Sequence, residues 1–151
     1  MQPREPAAPA HLPSGLSAEF AAVLRSTIER NEATLPPAVL RGYVDGAHRL
    51  RAEGVGWAPI VAYLEQTPAV LRALGAGVLD ALLSSASILH ARAGDRSVDQ
   101  FFSLTPLVAG RYAEARMFTA YLALLQELAA LAPSVAPAFF DHLPQLLEHL
   151  T

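Results

Sequence analysis

Three prolines, Pro68, Pro106 and Pro144, stand 38 residues apart, and the residues around them keep the same phase. The stretches YLEQTPAVLRAL (63–74), FFSLTPLVAGRY (101–112) and FFDHLPQLLEHL (139–150) each read aromatic, apolar, two variable residues, Thr or Leu, Pro, then an apolar stripe. Tyr63-Leu64, Phe101-Phe102 and Phe139-Phe140 recur at this offset, as do Val70, Val108 and Leu146, and Leu74, Tyr112 and Leu150. A fixed period in the range of 20–50 residues is the signature of a repeat architecture, in which each unit buries its apolar face only against its neighbours. The positions that recur are apolar or conformational, whereas Glu65, Ser103 and Asp141 change identity at one phase. Packing is what repeats, not reactivity.

The expected fold is all-α. Alternating Val/Ile/Thr runs and Asn-Gly hairpin turns are missing from the sequence, while helical punctuation is frequent. Ser17 is placed to cap a helix with apolar residues at Phe20, Val23, Leu24 and Ile28. Thr34, Pro36 and Pro37 open a second, carrying Val39, Leu40, Tyr43, Val44, Ala47 and Leu50, with Gly54 and Gly56 at its end. Proline disfavours helix in the residue before it and suits the first turn of the next helix. Pro68, Pro106 and Pro144 are therefore expected at structural corners, capped by Thr67 or Thr105. This predicts HEAT-like α-solenoid units of about 38 residues, each a short helix, a proline corner and a long helix. The long helices are expected at about 78–93 and 113–131, and Gly75 and Gly77 are expected inside an apolar helix.

The chain divides into a Pro/Ala-rich leader (1–15), expected to be disordered, a degenerate helical unit (16–56) and helical repeats (57–151). In 113–131, Met117, Tyr121, Leu124, Leu125, Leu128 and Leu131 form one stripe and Phe118, Leu122 and Ala129 a second, which predicts a helix covered on both faces. The third unit stops before its long helix. Phe139, Phe140, Leu143, Leu146, Leu147 and Leu150 are thus expected to lack their cover, and a continuation beyond residue 151 is expected.

Composition bounds the function. Apolar residues make up 52% of the chain and charged ones only 17%, below the usual share of about 25%. Such an excess predicts an exposed apolar patch and hence a partner or an adjoining domain. A net charge of −3 with scattered arginines and no lysine argues against a nucleic-acid surface. Without cysteine, disulfides and thiol catalysis are excluded, and a reducing cytoplasm is the expected setting. No uncharged apolar run reaches membrane-spanning length, and no glycine-rich phosphate loop or paired metal-ligand spacing occurs. His142 and His149 lie seven apart with Glu148 between them, but Pro144 interrupts them. No enzyme activity, metal or cofactor is expected.

The stretch 57–150, through YLEQTPAVLRALGAGVLDALLSSASILHARAGDRSVDQFFSLTPLVAGRY, resembles the helical repeats that precede the von Willebrand A domain in NorD/CbbO-type proteins. Members of that family act with MoxR-type AAA+ ATPases to activate or remodel enzymes such as nitric oxide reductase or Rubisco. The resemblance implies a helical scaffold of an AAA+-linked activator, with the ATPase or its substrate enzyme as partner. This chain lacks the Asp-x-Ser-x-Ser metal-adhesion motif of the von Willebrand domain. The turn residues Asp95, Arg96, Asp99 and Asp141 are a candidate partner-binding ridge, and self-association through the last unit is a further expectation. The alternative is a helical bundle holding an apolar small molecule or cofactor among Trp57, Tyr63, Phe101, Phe102, Tyr112 and Tyr121.

Overall fold

The computed structural model describes residues 14–111 and 114–149, with side chains from 18 to 111 and from 114 to 148. The described residues are helical, with short connections and no strand. The elements are α1 (Ser14–Asn31), α2 (Pro37–Ala52), α3 (Trp57–Leu74), α4 (Leu79–Ala93), α5 (Asp95–Arg111), α6 (Ala115–Leu131) and α7 (Ala136–His149). Single 3-10 turns at Ala76–Val78 and Pro133–Val135 lead into α4 and α7. The all-α expectation therefore holds. Of the leader, Ser14 and Gly15 already belong to α1, and residues 1–13 lie outside the described residues. Ser17 lies within α1 rather than ahead of it.

The helices form two rows. In one, α3 packs against α5 and α5 against α7; in the other, α2 touches α4 and α4 packs against α6. Contacts of α2 with α3 and of α4 with α5 hold the rows together, and α1 lies across α2 and α3. The core follows the interface between the rows. Tyr63, Phe101, Phe102 and Phe140 are almost wholly buried, and their rings meet in sequence. Tyr63 stands edge-on to Phe102 at 5.2 Å, Phe102 contacts Phe101 at 5.1 Å, and Phe101 reaches Phe140 at 6.4 Å. Polar contacts recur at sequence separations of 38–41: within the rows Arg49 with Ser87, Gly56 with Asp95, Gln100 with Asp141 and Gln126 with Ser85, and between α3 and the end of α1 Arg72 with Asn31 and with Thr34 of the following turn.

The prolines are not at corners. Pro68, Pro106 and Pro144 each lie inside a continuous helix, α3, α5 and α7 respectively. The expected short helix at 58–66 runs on to Leu74, and Thr67 and Thr105 are helix-interior residues. The Thr105 hydroxyl donates back to the Phe101 carbonyl, four residues earlier, at 2.6 Å. Corners fall instead on glycines. Gly54, Gly75 and Gly94 have φ of 88°, 89° and 92°, a left-handed region that costs a glycine little. Gly75 ends α3 and Gly77 sits in the following 3-10 turn, so the expected apolar helix does not run through them.

An interior proline removes one intrahelical hydrogen bond and presses on the carbonyl four residues before it, at a cost of about 3 kcal/mol. In α3 that carbonyl belongs to Leu64. The structure supplies a replacement donor: the buried Tyr43 hydroxyl of α2 donates to the Leu64 carbonyl at 2.5 Å. The Tyr63 hydroxyl in turn donates to the Tyr43 carbonyl at 2.7 Å, and the two rings stack at 5.4 Å. The pair therefore ties α2 to α3 at the proline. Gly46 makes room for it, since a Cβ there would lie 2.3 Å from the Tyr63 hydroxyl.

Tyr43→Phe leaves the buried Leu64 carbonyl without a donor and should lower stability by about 1–3 kcal/mol. In a Pro68→Ala background the restored N–H satisfies that carbonyl, so the same substitution should cost less. Urea melts of the four variants measure this coupling; additive effects would contradict the proposed role of Tyr43.

Burial raises the phenol pKa values of Tyr43, Tyr63 and Tyr121 well above their ordinary value. With the folded pKa raised, the native state holds protons that the unfolded state releases near pH 10, so stability is full below about pH 10 and falls above it. The chain has four tyrosines. Phenolate absorbance should show these three ionising together with loss of helical ellipticity. Ionisation of three or more near pH 10 with the helices intact would contradict their burial.

Candidate functional site

The sequence places apolar residues on two faces of α6, and the structure covers only one. Phe118, Leu122, Leu125 and Ala129 face the core and are fully buried. Met117, Leu124 and Leu131, spaced by seven residues, are exposed to 42%, 55% and 85%. The expectation of a helix covered on both faces therefore does not hold within the described residues. On α7, Phe140, Leu143 and Leu147 are buried, against the expectation that they lack cover, while Phe139 is half-buried and Leu146 is exposed. Between the two helices lies an open groove of about 410 Å³, walled by Met117, Tyr121 and Leu124 from α6 and by Phe139, Leu143 and Leu146 from α7.

Residues at the same phase in the preceding helices show why this face is open. Val70 and Val108 are buried while Leu146 is 45% exposed; Ala86 is buried while Leu124 is exposed. In the first set α5 lies against α3 and α7 against α5; in the second α6 lies against α4. Among the described residues no helix lies in that position beyond α6 and α7. The groove is thus the end of both rows, with side chains of the kind that are covered elsewhere.

The six residues expected to line a ligand cavity do not surround one. Tyr63, Phe101 and Phe102 fill the core with one another, and Trp57 is a half-buried ring edge-on to Phe20 at 6.1 Å. Tyr112 lies outside the described residues. Only Tyr121 reaches the groove, through its ring. Its hydroxyl is buried without a hydrogen-bond partner.

The four residues of the expected ridge separate as well. Asp95 accepts a hydrogen bond from the Gly56 N–H at 3.1 Å, and its other oxygen lies 3.0 Å from His90 Nδ1. It therefore joins the starts of α3 and α5 to the end of α4. Asp141 accepts from Gln100 across α5 and α7 at 2.8 Å. Arg96 is exposed and Asp99 is half-buried. Two of the four thus serve contacts between helices of one row. His142 is exposed, and the His149 side chain lies outside the described residues. No group of three His, Asp or Glu residues suited to a metal ion occurs among the described residues.

The sequence pattern puts the α6 wall, Met117, Tyr121 and Leu124, in a covered stripe, whereas the α7 wall, Phe139, Leu143 and Leu146, is expected uncovered, and of these Leu146 is exposed. The available signal was the seven-residue spacing of Met117, Leu124 and Leu131, a seam suited to another helix. No protein-family model, curated protein or solved structure matches this chain.

Asp95→Ala should cost about 1–2 kcal/mol, because it removes the acceptor for the Gly56 N–H and the partner of His90. Arg96→Ala, at an exposed position near the start of α5, should stay within about 0.5 kcal/mol. Thermal melts of both variants test the assignment, and equal losses would contradict it.

Proposed function

We propose that this chain is a non-enzymatic protein-interaction scaffold of stacked helical units about 38 residues long. Each unit is a helix with an interior proline followed by a second helix: α3 with α4, and α5 with α6, with α7 opening a third. The lateral contacts at separations of 38–41 residues support this reading. So does the recurrence of large buried apolar side chains, Leu64, Phe102 and Phe140, at one phase. The observation that carries the interaction role is the apolar face of α6 and α7, where Leu124, Leu131 and Leu146 stay exposed at positions of core character. Leaving such area in water is unfavourable by roughly 25 cal/mol per Å². A protein surface that covers it gains that energy back.

The resemblance of residues 57–150 to the NorD/CbbO helical repeats supplies the proposed partner class, a MoxR-type AAA+ ATPase or the enzyme it remodels. No single helix among the described residues is long and apolar enough to cross a membrane.

Titration calorimetry of the purified chain with a MoxR-type ATPase from the same genome tests this assignment. Binding at micromolar Kd is expected, with Leu131→Glu weakening it at least tenfold. Absence of binding with and without ATP would overturn the ATPase assignment.

A further inference from the structure

We propose that the exposed α6–α7 face pairs with the same face of a second copy, as a two-fold dimer with the α6 helices antiparallel about Leu124. This deepens the interaction-module reading by naming the face and one partner. Four observations carry it.

The exposed large apolar side chains among the described residues are Leu107, Met117, Leu124, Leu131, Val135 and Leu146, all in the last third of the chain. Among the described residues most of a second copy's large exposed apolar side chains lie at this same end, which favours an isologous arrangement. The spacing of Met117, Leu124 and Leu131 fits helix against helix, as in a heptad seam. An antiparallel pair centred on Leu124 places Met117 of each copy against Leu131 of the other. That covers the most exposed apolar side chain, Leu131 at 85%.

The same register brings charge into complementary places. Arg116 is exposed at the start of α6 and falls beside Ala132 of the other copy, which caps the C-terminal end of its α6. That last turn carries no basic residue of its own, and a cation near free helical carbonyls is favourable. The seam is long enough for a helix pair. Met117 to Leu131 spans about 21 Å along α6, and Leu146 of α7 adds a fourth exposed apolar side chain to that end.

Sedimentation equilibrium from about 1 to 200 µM should show a monomer–dimer equilibrium with a micromolar Kd. Leu124→Glu puts two like charges at the two-fold axis and should weaken it at least tenfold, and Arg116→Glu should weaken it by less. Because the natural chain has no cysteine, single-cysteine variants report the register directly. Leu124→Cys should form a covalent dimer with oxidised glutathione, whereas Leu107→Cys, exposed but off the seam, should not. A strict monomer at 200 µM overturns the proposal, as does a dimer that Leu124→Glu leaves intact or equal cross-linking at both positions. A monomer that still binds the ATPase would sink the dimer and leave the interaction reading standing; a dimer without ATPase binding would do the reverse.

Discussion

A proline inside a helix leaves one carbonyl without its usual donor, and the rest of this structure is arranged around that fact. Pro68, Pro106 and Pro144 put the defect in each helix of one row, α3, α5 and α7. At the first of them a tyrosine from the neighbouring helix supplies the missing donor, so the contact between α2 and α3 is polar and directional as well as apolar. Such a bond fixes how far one helix can slide along the other, which packing of leucines alone leaves less determined. The aromatic residues four and five positions before each proline then carry the contact along the row, from Tyr63 to Phe102 and from Phe101 to Phe140.

Much of the fold was legible in the sequence. The all-helical class, the bounds of α2 and α4 to within a residue or two, and the glycine ends at Gly54 and Gly94 all follow from period and punctuation. The proline corners did not, because local preference was weighed without its tertiary context. In isolation Pro68 favours a break. In the folded chain the buried face of α3, with Ile60, Tyr63, Leu64, Val70 and Leu71, gains more from one continuous packed helix than the lost hydrogen bond costs, and Tyr43 reduces that cost. Gly75 is the converse case: its apolar neighbourhood favours helix, whereas its φ is positive.

The candidate site was half legible. Composition calls for an exposed apolar patch; the pattern marks its α7 side, with Leu146, as uncovered but reads its α6 side, with Met117, Leu124 and Leu131, as a covered stripe. Sequence alone does not say which of two apolar faces is covered, because that depends on how many helices lie beside the one in question. The candidate ridge poses a related ambiguity. Asp95 and Asp141 are polar residues at helix starts and faces, where bonds between helices compete with exposure to a partner, and both make contacts between helices while staying exposed.

The central claim is that equivalent positions along the rows are closed in the middle and open at the α6–α7 end. Thiol-labelling rates at positions of one phase test it most directly. In Val108→Cys and Leu146→Cys variants, labelled at low micromolar concentration, the account predicts a rate at 146 close to that of a free thiol. At 108 it predicts a rate at least about 100-fold slower, limited by opening of the packed rows. Comparable rates at the two positions would contradict it.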